Sequence, residues 1–269
     1  MEPTHLPQID HIEKQNLHIE KVTALGIGIS AVNMEVAVDI IVGWMKNRIH
    51  RSATFAAVHS IVDAQNEPDA KLAMQQSDLC VPDGVPLVWL LKLSGKDKVS
   101  RVFGPDLMLK VSERMAEDGL SAFYYGGTQE AVTELAQQME QRFPGIHTSG
   151  TYSPPFRELS DEEENAVVSR INDADADIVW IGLGSPRQER WVMRFRSRLD
   201  TPVIAAVGAA FDYNTGRLRR APRWMQKCGL EWLYRLIQEP RRLWRRYFRN
   251  NPLFIFHLFC EKTGIRNFH

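Results

Sequence analysis

The chain has 269 residues, 44% of them hydrophobic, and no low-complexity or repeated segment. That is enough for one sizeable core and sets aside disordered and solenoid architectures. The formal net charge is zero, but residues 217–249 hold eleven Lys/Arg against two Glu, a local net of +9, and the remainder holds 22 Lys/Arg against 31 Asp/Glu, a net of −9. An acidic body with a basic C-terminal segment points to an anionic partner for that segment.

Residues 1–21 read as a polar lead-in, with Glu2, Asp10, Glu13 and Glu20 against Lys14 in the first twenty. They lack the basic start and apolar stretch of a secretory signal. The pattern then predicts a strand over 22–29 and a helix over 34–48, where Val38, Ile41 and Met45 recur at helical spacing. A strand over 54–58, a helix over 60–75 broken at Pro68, and a strand over 79–81 ending at Pro82-Asp83-Gly84 follow. A helix is expected over 86–93. The second half repeats the alternation: strands over 121–125, 146–151, 178–183 and 202–207, helices over 128–143, 161–173 and 188–199. Thr128 is the expected N-cap of its helix.

Apolar strands alternating with amphipathic helices imply an α/β fold, a Rossmann-like, mainly parallel sheet with helices on both faces. The α/β core is assigned to 22–216 and a basic helical appendage to 217–269. Ligands of such sheets sit beyond the C-terminal strand ends. The turns at 83–84, 126–128, 184–188 and 208–212 therefore mark the expected site edge.

The appendage mixes Trp232, Trp244, Tyr247 and Phe248 with Arg235, Arg241, Arg242, Arg245, Arg246 and Arg249, and Pro240 divides it into two helical pieces. Aromatic residues on one face and arginines on another describe a helix lying in the headgroup layer of an anionic membrane surface. No stretch reaches the ~18 apolar residues of a spanning helix. A solvated basic helix is the alternative, and the interleaved apolar residues argue against nucleic acid.

Asp83, at a strand end before the permissive Gly84, is either a turn residue or a carboxylate placed to accept a proton. Arg101, near Gly104, is either solvated or a diphosphate ligand. Asp106 is expected to cap the helix after it. Gly126-Gly127 and Gly182-Leu183-Gly184 join strands to helices and suit phosphate binding on backbone N–H groups. Neither matches a dinucleotide fingerprint, because Arg187 stands at the third glycine position, and no phosphate-loop Lys follows. His59, which follows a strand, is either placed to touch substrate or structural. Cys80, Cys228 and Cys260 lack metal-ligand spacing, and no metal site is expected.

Taken in order, Val81-Pro82-Asp83-Gly84, Arg101-Val102-Phe103-Gly104-Pro105-Asp106-Leu107, Gly126-Gly127, Gly182-Leu183-Gly184-Ser185-Pro186-Arg187-Gln188-Glu189, Gly208-Ala209-Ala210-Phe211-Asp212, Arg220-Ala221-Pro222 and Gly229-Leu230-Glu231-Trp232 resemble the WecG/TagA/CpsF glycosyltransferases, over roughly 22–250. The resemblance implies inverting transfer from a UDP-sugar to an undecaprenyl-diphosphate-linked saccharide at the cytoplasmic membrane face, with no cofactor and a membrane-binding appendage that completes the site. It implies Asp83 as base, with Arg101 and Gln188 in the catalytic set. Substrate contacts are expected from His59, Ser60, Gly84, Gly104, Gly126, Gly127, Gly184, Gly208, Phe211 and Asp212. One position departs from the family: a Thr-x-Asn at the end of the strand preceding the one that leads to Asp83 is replaced by Phe55-Ala56-Ala57. His59 or Ser60 is expected to substitute, and the donor sugar stays open between N-acetylmannosamine and a glucose-type hexose. A homo-oligomer is compatible with the sequence. The rival readings are a nucleotide-dependent oxidoreductase and a non-catalytic membrane-surface protein.

Overall fold

The computed structural model describes residues 19–268. In chain order, β1 (Lys21–Ala24) and β2 (Ile27–Ser30) form an antiparallel hairpin, followed by α1 (Met34–Lys46), β3 (Arg51–Ala56), α2 (Val58–Ala64), α3 (Pro68–Gln76), β4 (Leu79–Pro82), α4 (Val85–Leu93) and α5 (Gly104–Asp118). Then come β5 (Ser121–Gly126), α6 (Gln129–Arg142), β6 (His147–Tyr152), α7 (Asp161–Asp173), β7 (Ile178–Gly182), α8 (Arg187–Phe195), β8 (Val203–Ala206) and α9 (Ala210–Asn214). The chain ends in α10 (Arg223–Lys227), α11 (Glu231–Gln238) and α12 (Pro240–Lys262).

The main sheet has six strands in the order β4-β3-β8-β7-β5-β6, every pairing parallel. Strands β4 and β8 are buried along their whole length, which is why they read as unbroken apolar runs. One face packs on α1, α5, α6 and α9, with Phe55, Tyr124 and Trp180 at the centre. The other face is covered in two parts, by α2, α4, the hairpin and α12 around Cys80 and Ile61, and by α7 and α8 around Tyr125 and Trp191.

Two expectations change. The run over 22–29 is a hairpin rather than one strand, because Leu25 (φ 50°) and Gly26 (φ 77°) make a tight turn that folds it back off the main sheet. At Pro240 the basic segment divides as expected: α11 ends at Gln238 and α12 runs 23 residues from Pro240, with Pro252 inside it. Asp106 does not cap α5, whose N-cap position is Phe103; it lies within the first turn and pairs with Arg220. The lead-in expected over 1–21 lies almost wholly outside the described residues.

Strands β3 and β8 are neighbours, but β3 hands the chain to α2 on one face and β8 to α9 on the other. A crevice opens where connections part in this way. Register sets its floor: Ala56 stands beside Pro82, Ile181 beside Ala206, and Gly126 beside Gly182. The strands thus end at one level, and the residues just after them share one edge.

Candidate active site

Asp83 follows β4 directly. Its N–H donates to the Ala56 carbonyl at 2.9 Å, which extends the β3–β4 ladder by one residue and holds the carboxylate at the crevice wall. The Val102 N–H donates to Pro82 O at 2.9 Å, so the segment before α5 lies against the same strand end and brings Arg101 to Asp83. Each nitrogen of the Arg101 guanidinium then has one partner. Nε donates to the Asp83 carbonyl, Nη2 to Asp83 Oδ1 at 3.3 Å, and Nη1 to Glu231 at the start of α11. Its plane rests 4.4 Å from the Phe103 ring centroid. Burial pushes the Asp83 carboxyl above the ordinary carboxylate range; Arg101 opposes the shift and Glu231 reinforces it.

Across the crevice, α11 and α12 supply Arg235, Arg242 and Arg246. Glu239 takes Arg242 at 2.8 Å and lies 3.6 Å from Arg235. Arg246 has no acidic side chain within ion-pair distance among the described residues, and burial together with Arg235 pushes its pKa down to about 10. His59, in the first turn of α2, is held well below its usual pKa by burial and by Arg246 and Arg235, so it is a neutral imidazole facing this positive wall. Glu239 serves Arg235 and Arg242 but not Arg246, so Arg246 is the guanidinium on this wall that an anion would pair with.

The crevice has two lobes that share Asp83, His59, Phe103, Tyr213 and Arg235. The polar lobe runs under the Gly182–Ser185 turn past Gln188, Gly208 and Asp212. The less polar lobe runs between α4 and α11, past Pro86, Tyr247 and Asn251, to Trp89, which is largely exposed, and Trp232, which is partly so.

Of the residues expected from sequence, Asp83, Arg101, Gln188, His59, Gly84, Gly184, Gly208 and Asp212 converge on this crevice. Arg101 pairs with two carboxylates, Asp83 and Glu231. Ser60 borders the polar lobe, but its hydroxyl is spent closing the first turn of α2: it accepts from the Ala57 N–H and donates to the Ala57 carbonyl, both at 2.9 Å. Gly104, Gly126, Gly127 and Phe211 do not line either lobe. Gly126 is a close-packing position, where a Cβ would lie 2.5 Å from Gly182 O. Gly104 packs on Val207 O in the same way, at 3.2 Å. Gly127 accepts from the Ser153 hydroxyl at 2.7 Å, away from the lobes. Phe211 is core, packed edge-on against Tyr124 and filling the space left by Gly182.

The arginines expected on a membrane surface divide. Arg241, Arg245 and Arg249 are exposed on α12, beside exposed Trp244 and Phe248, while Arg235 and Arg246 turn to the crevice and Arg242, itself exposed, stands at the edge of its polar lobe. Glu231 was missed as a site residue. It is 6% exposed, and the signal for it was one of only two acidic residues in a strongly basic segment.

No helix among the described residues is long and apolar enough to cross a membrane. Residues 22–267 match the model of the glycosyl transferase WecG/TagA/CpsF family. The chain is 32% identical over 184 residues to an N-acetylglucosaminyldiphosphoundecaprenol N-acetyl-beta-D-mannosaminyltransferase of Bacillus spizizenii, covering 68% of this chain and 69% of the relative. It is 28% identical over 238 residues to a protein of the same name from Bacillus subtilis, covering 88% and 80%. With a parallel α/β core, a carboxylate at the switch point and a family match across nearly the whole described chain, the protein belongs to the WecG/TagA/CpsF family of glycosyltransferases.

Proposed function

We propose that the protein transfers a hexose or N-acetylhexosamine from a UDP-sugar to an undecaprenyl-diphosphate-linked saccharide, with inversion, at the cytoplasmic face of the membrane. The observation that carries this reading is the pairing of one buried-edge carboxylate, Asp83, with a facing set of three arginines in one crevice. The relatives' names describe an N-acetylglucosaminyl-diphosphoundecaprenol acceptor and an N-acetylmannosaminyl group transferred, which supports the same pair of substrate classes here.

In this reading the polar lobe takes the nucleotide sugar. Arg235, Arg242 and Arg246 hold its diphosphate, and the charge that grows on the departing UDP falls among them. The lobe between α4 and α11 takes the acceptor sugar, with its lipid leaving past Trp89 and Trp232. Asp83 Oδ removes the proton of the acceptor hydroxyl as that oxygen bonds to the anomeric carbon and the bond to the diphosphate breaks. Arg101 holds the Asp83 carboxylate by its Oδ1 and its own backbone carbonyl, so it positions the base. Residues 217–269 form the appendage, and Arg241, Arg245, Arg249 and Trp244 face the anionic surface that carries the acceptor.

The test is a panel of UDP-hexoses and UDP-N-acetylhexosamines incubated with a synthetic polyprenyl-diphosphate N-acetylglucosamine. The proposal expects acceptor-dependent UDP release and a disaccharide-lipid product with one member of the panel. UDP release from none of them contradicts it.

A further inference from the structure

Glu189 is fully buried beside the crevice, yet no step above uses it. Burial pushes its carboxyl above the ordinary glutamate range, so the fold keeps an awkward group at a position where leucine or methionine would pack. Its neighbour explains why. The Gln188 amide nitrogen donates one hydrogen bond to the Ala206 carbonyl at 3.0 Å and another to Glu189 Oε1 at 3.2 Å. An amide NH2 has two protons, and both are taken. The reversed amide would set an oxygen against two oxygen acceptors, so the orientation is fixed by the partners. Gln188 Oε1 is left buried, without a hydrogen-bond partner among the described residues, on the wall of the polar lobe. Gly208 keeps the space beside it clear, since a Cβ there would come within 3.3 Å of Oε1.

Resting on the glycosyl-transfer reading, we infer that Glu189 is a positioning residue that locks Gln188 as a pure acceptor, so that Gln188 reads a hydroxyl or N–H of the sugar nucleotide and not its diphosphate. Ala206 O alone would hold one amide proton and let the side chain swing. The second anchor makes the oxygen's direction unique. A diphosphate offers only acceptor oxygens at neutral pH, which an amide oxygen repels; a sugar or ribose hydroxyl supplies the donor that Oε1 lacks. The discrimination resembles other sites built around one buried polar atom, where an unmatched ligand leaves that atom unpaired.

Selective 15N labelling of glutamine side chains, with Gln188 assigned by its absence in Gln188→Leu, reads the lock without any substrate. Both Gln188 amide protons should exchange slowly in the wild-type protein and in Glu189→Gln, whose amide oxygen still accepts. One should exchange fast in Glu189→Leu. With the UDP-sugar the wild type uses, Glu189→Leu should raise the donor KM about tenfold, the worth of one hydrogen bond, and Glu189→Gln should restore it. Inhibition by inorganic pyrophosphate should be the same in all three proteins, and Glu189→Leu should add nothing in a Gln188→Leu background. Fast exchange of either proton in the wild type, or an equal loss of pyrophosphate and UDP-sugar binding in Glu189→Leu, overturns the assignment. The wild-type exchange result stands even if the leucine variant does not fold. If no UDP-sugar turns over at all, the transfer reading falls, while the exchange measurements still decide the role of Glu189.

Discussion

The guanidinium of Arg101 donates through Nη1 to the carboxylate of Glu231, so the segment before α5 is tied to the first turn of α11 at the point where Asp83 meets the crevice. The same guanidinium holds Asp83 through Nε and Nη2. One cation thus serves two carboxylates, and the basic C-terminal segment is joined to the site by one of its two acids.

This arrangement makes a pH prediction for Glu231→Gln. In the wild type the Glu231 charge raises the Asp83 pKa, and Arg101 lowers it. Removing the Glu231 charge leaves Arg101 to Asp83 alone, so the Asp83 pKa falls. A base works when deprotonated, and the acidic limb of kcat/KM against pH should therefore move to lower pH. An unmoved limb contradicts the coupling. Glu231→Ala should also cost about 2–3 kcal/mol of stability, below the 3–5 of a fully buried pair, because Arg101 is a quarter exposed and keeps Asp83. Denaturant unfolding measures it.

The arginines of α12 should separate by function. Arg242→Gln and Arg246→Gln should weaken UDP binding, by calorimetry, with little change in sedimentation on anionic vesicles. Arg241→Gln, Arg245→Gln and Arg249→Gln should do the reverse, each removing about 1 kcal/mol of vesicle binding at low salt and less as salt screens the surface. Loss of both properties in every variant contradicts the division.

Glu189 sets a stability trend. Its carboxyl is raised in the folded protein, so the stability it contributes is fully present below the ordinary glutamate pKa and is lost as pH rises through the folded value. Glu189→Gln has no such loss. It should therefore unfold at a higher temperature than the wild type at neutral and alkaline pH, with the gap closing as pH falls toward the ordinary glutamate range. A gap that widens on acidification contradicts a carboxyl raised by burial.

Much of the fold was legible in the chain, because parallel strands buried on both faces leave unbroken apolar runs such as Leu79-Cys80-Val81 and Val203-Ile204-Ala205-Ala206. The hairpin was not, because Val22 to Ile29 carries no polar turn pair and Leu25 takes a positive φ that sequence rarely announces. The place of Asp83 at a strand end was legible, although spacing left it between a turn residue and a proton acceptor. Which glycines line the crevice was not: Gly184 and Gly208 border it, while Gly104 and Gly126 pack against backbone, and the two uses look alike in sequence. Arg242 and Arg246 are successive turns of one stripe of α12, and Arg241, Arg245 and Arg249 are the next stripe about 100° away. Helical spacing separates the stripes but does not say which one faces the core; the contacts of Leu243, Asn250 and Phe254 decide that. Asn250 is anchored to Asp63 on α2 at 2.9 Å, and Glu261 accepts from the Leu25 and Gly26 N–H groups at 3.0 Å. These long-range ties fix the rotation of α12.

The central claim is that Asp83 is the base of a glycosyl transfer, and Asp83→Asn tests it most directly when turnover and donor binding are measured on the same preparation. With UDP-sugar and polyprenyl-diphosphate acceptor, turnover should fall by about 10²–10⁴, the usual worth of general-base catalysis, while UDP affinity stays within a fewfold of wild type because the arginines across the crevice are untouched. Turnover close to that of the wild type, with UDP binding intact, contradicts the account.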